Sequence, residues 1–503
     1  VAFGRSELAF EPGLYGNRSK RASKGRWVDG NLVRFRDGVP AQVGGWVASP
    51  ITGVPVLGRA RDMLAWRPNN QAGRLMAIGT HTNAYQFDGG AVIDITPTSF
   101  PGGRPDSLIG AGFGAGIYGA STYGTPRTTS ANTLQAAGWT FDLFGEVLLG
   151  CFDSTGVIYR YQPVVDARLI PLTNAPTARA LCVSDERHVF AFGCDGNPNL
   201  VRWSDRENTT VWTPSAANRA GSYDMQATSP FQCGKRARGQ ILAWTATELF
   251  AFAPLNNALV YSRSRLASEC GVTGPHGAVV VTDPAGDVAY WMGPSSFWVY
   301  DGLVRKLPCD LQDYVFKDFN VVQRAKVQAR ANNLFGEIWF FYCSAASNEV
   351  DRAVIFNYEN GTWSKALISR LAWCDASIFP MPIAIDQNGT LYEHENGNTA
   401  AGAAMPSYVL SHPLSIGAGQ SMMQLLDFWP DMEPMSDGCE LTIVGRYYPG
   451  APDEVFGPYP FTVGTDKIDL ALELRQAQIK VAGTGGYWEL GAPMLTMQPG
   501  SAR

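Results

Sequence analysis

The 503-residue chain carries 40 Lys and Arg against 45 Asp and Glu, a formal net charge of −5, so its overall electrostatics give no reason for tight binding to nucleic acid or anionic membrane. Its length exceeds one ordinary core and predicts at least two domains. Charged residues at only 17%, aromatics at 12%, 54 Gly and 32 Pro exclude a protein of long solvated helices and favour short strands joined by tight turns.

Residues 1–54 read as an N-terminal arm. Lys and Arg cluster there at Arg18, Lys20, Arg21, Lys24, Arg26, Arg34 and Arg36, offset only by Asp29. The cluster is either a solvated arm or a contact for DNA or an acidic partner. RWVDGNLVRFRDG carries two Asp-Gly steps between alternating residues, which predicts a hairpin of its own. No basic-then-apolar leader follows Val1, which argues against a signal peptide.

From about residue 55 to 400 one shape recurs: a short apolar strand, a tight turn, and a second strand rich in aromatics. The hairpins begin near Met76, Val147, Val189, Ile241, Val288, Ile338 and Ile383, at intervals of 71, 42, 52, 47, 50 and 45 residues. A period of roughly 40 to 50 residues predicts radially stacked four-stranded sheets, a β-propeller of about six or seven blades. RDMLAW, RALCVS, AVVV, AKVQAR and RLAWCD are candidate inner strands. The aromatic pairs, Trp291 with Trp298 among them, are expected to pack between blades.

The 71-residue interval holds an excess, residues 101–136, rich in Gly, Tyr, Ser and Thr. It reads as a loop projecting from a blade, with Tyr118, Tyr123 and Arg127 as candidate gate or neighbour-contact residues. Its uncharged stretch from Ser107 to Pro126 contains too many glycines for a membrane helix. Gly114, Gly116 and Gly119 have the GxGxxG spacing, but no strand leads in and no helix follows, so a phosphate site is not expected. Residues 401–503 drop the recurrence and form a small β module, a sandwich on the propeller or a platform for other subunits.

Chemistry-bearing motifs are sparse. Nine cysteines without a CxxC pair read as reduced, packed thiols rather than a metal or disulfide framework. Glu393, His394 and Glu395 alternate faces of one strand and read as exposed strand-end polars rather than a catalytic set. Ser204–Trp212 resembles the Asp-box turn of sialidases without its glycine, a structural motif. A propeller glycosidase would need Asp185, Asp205, Asp301 or Asp375 gathered at a channel mouth. No catalytic, cofactor-binding or metal residue is assigned.

NLVRFRDGVPAQVGGW, GFGAGIYGASTYGTPR, CGVTGPHG, YWMGPSSFWVYDGLVRKLPCDLQDYVF, EIWFFY, VIFNYENGTWS and LYEHENG, in this order, with YWELG and MQPGSAR near the end, resemble tail proteins of short-tailed bacteriophages. Specifically, the chain resembles the nozzle or hub family that includes the packaged-DNA stabilisation proteins. The resemblance implies a non-enzymatic virion component, made in the host bacterial cytoplasm, that forms a homohexameric tube below the portal and adaptor proteins. Such a tube retains packaged DNA and conducts it at ejection. Arg18, Lys20, Arg21, Lys24 and Arg26 become candidates for adaptor or DNA contact, and tail fibre or tailspike proteins further partners. The alternative is a propeller enzyme or lectin acting on a host surface polysaccharide.

Overall fold

Six of the seven hairpins of the repeat carry Gly, Asn or Asp in the connection between their strands, and the fourth turns on Ala246-Thr247, so most neighbouring strands pair across short turns. In the computed structural model, which describes residues 4–17, 19, 23–69, 73–108, 134–416, 420–448 and 450–500, these hairpins are the middle strands of seven sheets. The chain is all-β in class, a seven-bladed propeller with a second β unit. Blade 1 runs from Ala60–Trp66 through Leu75–Thr80 and Ala84–Phe87 to Ala91–Asp94. Blades 2 to 6 repeat the meander, with inner strands Trp139–Phe144, Ala180–Val183, Phe231–Ala237, Ala278–Asp283 and Gln328–Asn332. Each inner strand contacts the next, and Ala372–Cys374 of blade 7 returns to blade 1, which closes the ring.

Blade 7 takes its outer strand from the other end of the repeat. Trp46–Ala48 pairs antiparallel with Leu391–His394, so an early strand seals the last blade. Thr52–Gly53 adds to the outer edge of blade 1. The propeller therefore begins at residue 46, inside the segment expected to be an arm.

The remainder of that segment is not an arm either. Gly4–Glu7 joins Met423–Trp429, Ile468–Leu474 and Met494–Pro499 in one sheet. Glu11–Leu14 and Arg26–Asn31 join Tyr408–Ser411, Gln476–Gly483, Gly438–Arg446 and Glu454–Thr462 in a second. The two sheets share one apolar core that includes Leu425, Phe428, Ile443 and Ile479, and Gly438–Arg446 alternates buried and half-buried residues as a sandwich strand must. Both ends of the chain thus build the module expected from residues 401–503 alone. The physical reason is burial: Leu14, Trp27, Val33 and Phe35 are at most 2% exposed, more apolar surface than a solvated arm can leave in water. Of the two Asp-Gly steps, Asp37-Gly38 makes the turn of a hairpin, Val33–Arg36 with Val39–Gln42, with φ of 47° and 90°. Asp29-Gly30 lies inside a strand.

The same core runs on into Phe297, Ile338, Phe340 and Trp363 of blades 5 and 6, so the sandwich is fused to the rim of the propeller. Between blades, Trp244 meets Trp291 edge-on at 5.6 Å, and Trp339 stacks on Trp373 at 5.4 Å. Trp298, opposite Trp291 on the next strand, packs against the same core between blades 4 and 5 but is only half-buried, at its outer side. Eight of the nine cysteines are buried free thiols and Cys374 is half-buried. Among the described residues no helix is long and apolar enough to cross a membrane.

Candidate functional site

The connections between blades and the turns between second and third strands share one face of the propeller. The 101–136 insertion lies in one of those connections, between blades 1 and 2. Its neck is braced. Leu108 and Leu134 exchange both backbone hydrogen bonds at 2.8 Å, Ser107 N donates to Gln323 Oε1 at 2.9 Å, and Gln323 Nε2 donates back to Ser107 O at 3.0 Å. Lys326, its side chain 1% exposed, pairs with Asp106 at 2.5 Å and Glu349 at 3.2 Å. Arg61 holds the same Glu349 and donates to Pro105 O at 2.6 Å. Residues 101–108 and 134–136 are therefore part of the propeller face. Tyr118, Tyr123 and Arg127 lie outside the described residues, as do Arg18, Lys20 and Arg21.

Below the neck, the axis of the propeller is crossed by polar contacts. Asp62 of blade 1 pairs with Arg330 of blade 6 at 2.8 Å, although blade 7 stands between them along the ring. His276, in the connection entering blade 5, donates from Nε2 to Trp139 O of blade 2 at 2.8 Å and turns Nδ1 to Asp62 at 3.7 Å. Burial pulls the His276 pKa down to about 4, Asp62 opposing and Arg330 and Lys235 reinforcing. Burial resists ionisation of Asp62, yet the His276 ring, Arg330 and Lys235 together hold its carboxyl below the usual range. These contacts tie blades 1, 2, 5 and 6 together across the centre of the ring.

A second buried network ties the sandwich to the propeller. Arg34 donates from Nε and Nη2 to Glu337 at 2.9 and 3.1 Å, and from Nη1 and Nη2 to Glu395 at 3.0 and 2.7 Å. Trp339 Nε1 donates to Glu337 Oε2 at 3.0 Å, and Gly44 N to Glu395 Oε2 at 3.0 Å. Burial would lower the Arg34 pKa, but the two carboxylates outweigh it and keep the guanidinium charged. Burial pushes Glu337 up against the pull of Arg34.

Two of the four described members of the basic cluster are paired. Arg26 pairs with Glu11 at 2.8 Å and Asp310 at 3.4 Å, and Arg34 is the buried bridge just described. Among the described members, Lys24 and Arg36 are exposed. Glu393, His394 and Glu395 alternate as expected but are not exposed polars. His394, 3% exposed, accepts from Arg370 Nε at 2.8 Å, and Glu395 belongs to Arg34. The partner of Glu395 stands 361 residues away and is invisible locally, whereas that of His394 is only 24 away.

The four carboxylates weighed for catalysis go to separate partners. Asp205 accepts from Arg206 N and Arg219 N, both at 2.8 Å; Asp375 accepts from Ala376 N at 2.7 Å. Asp301 pairs with Arg305, and Asp185 faces Arg236 at 3.7 Å. The Ser204–Trp212 turn is structural, with Trp212 buried and its Nε1 donating to Thr209 O at 2.8 Å.

Sequence reasoning missed a concavity of about 890 Å³ beside the neck. Arg104, Arg179 and Arg324 line it, with Asp153 as its one carboxylate. Burial raises Asp153 to about 6, while Gly138 N donates to its Oδ1 at 2.8 Å. Its arginines stand 75 and 145 positions apart in the chain, so no local pattern announces it.

No protein-family model matches the sequence, and neither does any curated protein. Among solved structures, the chain is similar to the β-propeller domain of Cps50 (Swd1) from Myceliophteria thermophila, with a TM-score of 0.38 and 9% identity over 68% of this chain and 98% of that one. It is also similar to the N-terminal domain of Nup159, with a TM-score of 0.36 and 10% identity over 72% of this chain and 99% of that one. At these scores the strand order itself, rather than either likeness, carries the assignment of the fold.

Proposed function

We propose that this chain is a structural subunit of a short-tailed bacteriophage tail, a nozzle or hub protein that assembles as a ring below the portal and adaptor, retains packaged DNA and conducts it at ejection. The reading starts from the resemblance of residues 31 to about 400 to that family. The observation that carries it further is how buried charge is used. Asp62, Glu248 and Glu337, 6%, 2% and 1% exposed, are each held by an arginine at 2.8 to 3.0 Å. Such groups brace a body that bears load; none is poised to give or take a proton.

Because Asp62, His276 and Arg330 meet across the centre of each propeller, this reading puts the conduit for DNA between copies around a ring, not through one chain. A wall with a net charge of −5 per chain lets a phosphate backbone slide, where a basic wall would hold it by counterion release. The insertion is the candidate gate, and Lys24 remains the exposed described member of the candidate adaptor contact. On this reading the protein is a virion component made in the host bacterial cytoplasm, with no catalytic role, and tail fibres or tailspikes are further partners. The polysaccharide-directed alternative loses ground because its four candidate carboxylates do not share a partner.

Native mass spectrometry and negative-stain imaging of the chain, alone and with portal and adaptor, test the reading. A sixfold ring is expected. A chain that stays monomeric with both partners present overturns it, and glycan cleavage by the purified chain would move the assignment to the enzyme.

A further inference from the structure

The concavity beside the neck has a sign opposite to that of the whole chain. Three arginines and one aspartate line it, whereas the chain carries −5. Arg179 spends one Nη on Gln135 Oε1. The side chains of Arg104 and Arg324 meet no acceptor and no aromatic face among the described residues. The residues outside the described set contain no Asp or Glu, so no acidic side chain of this protein is left over to neutralise them.

The backbones that carry these arginines are pinned. Arg104 O accepts from Ala137 N at 2.9 Å, Arg179 N donates to Phe192 O at 2.8 Å, and Arg324 O accepts from Val327 N at 3.2 Å. Burial lowers the Arg179 pKa, with Asp153 opposing it and the nearby Arg324 reinforcing it. Guanidinium forks around one hollow, those of Arg104 and Arg324 unpaired, match carboxylates, which they grip by two parallel hydrogen bonds.

We propose that this concavity is a docking site for an acidic peptide segment of a partner protein, whose carboxylates are taken by Arg104, Arg179 and Arg324. Small walls favour a peptide: a Cβ on Gly196 would meet nothing within 4 Å, so a main chain can come close there. Among the described residues that line the hollow none is aromatic, so these offer no platform on which nucleic-acid bases would stack. The site stands apart from the tail reading, because one isolated chain presents all of it.

Fluorescence anisotropy with the full chain tests the proposal, using a labelled oligoglutamate of about eight residues and an oligothymidylate of equal charge. The peptide is expected to bind and to weaken as salt rises. Arg104→Gln and Arg324→Gln should each weaken it about tenfold. Neither should move the melting temperature, since neither guanidinium has a partner in the fold, and Arg206→Gln, on the opposite face, should leave binding unchanged. Absence of peptide binding at low salt overturns the proposal, as does binding indifferent to both variants. Tighter binding of oligothymidylate, lost in the same variants, overturns it in favour of a nucleic-acid site.

Discussion

At the scale of single residues, the propeller is held by aromatic rings between blades and by charges buried across its axis. Trp291 is fully buried, meets Trp244 of blade 4, and donates from Nε1 to Cys270 O at 2.6 Å. Trp298 is half-buried, with Lys306 over its outer ring face at 5.6 Å. Trp291→Ala should therefore cost about 3 to 5 kcal/mol and Trp298→Ala about 1 to 2 in urea unfolding; equal costs would mean that the outer tryptophan also bears on the core. His276 sets a pH dependence. With its pKa near 4 folded and about 6.5 unfolded, the unfolded chain binds the extra proton in between. Stability from this group is complete above pH 6.5 and falls by about 3 kcal/mol as pH drops to 4. Asp153, raised to about 6, slopes the other way over much of that window, so the measurement is the difference between wild type and His276→Gln. Identical pH profiles would show that the imidazole is not held neutral.

At the scale of elements, the insertion is a loop on a rigid stem. The paired hydrogen bonds between Leu108 and Leu134 leave the two chain ends close enough to be joined by an Asn-Gly turn. Replacing residues 109–133 by that turn should keep the melting temperature within about 2 °C of wild type. A deletion beginning at Gly102 should behave differently, because it removes Asp106 and Ser107 and strips buried Lys326 and Gln323 of partners, at a cost of several kcal/mol. If the short excision also unfolds the protein in a thermal melt, the stem is not the boundary.

At the scale of the whole molecule, the chain is one body because its two ends meet. Trp46–Ala48 closes the propeller and Gly4–Asn31 completes both sheets of the sandwich, so the first fifty residues hold the last hundred in place. A chain starting at Ser49 should lose cooperative unfolding and elute as aggregate, since it exposes the groove that Leu14, Trp27, Val33 and Phe35 fill. A monodisperse, folded truncation would restore the picture of a detachable arm.

Alternating apolar residues, turn residues at short intervals and a period near 45 are local signals, so the seven hairpins, the all-β class and the interruption between blades 1 and 2 were legible in the sequence by itself. Five inner strands were legible too, while Trp139–Phe144 and Phe231–Ala237 were not, because Asp142 and the pair Lys235 and Arg236 break the apolar run where the strand faces the channel. The basic cluster shows the limit of such reading. Arg26 and Arg34 look free in a linear string and are paired in three dimensions, with Glu337 lying 303 residues from Arg34. Ring closure, the shared sandwich, the contacts across the axis and the arginine hollow all depend on pairing between distant segments. Only the tertiary structure decides these, because a local pattern states which face of a strand is apolar and not which strand will cover it.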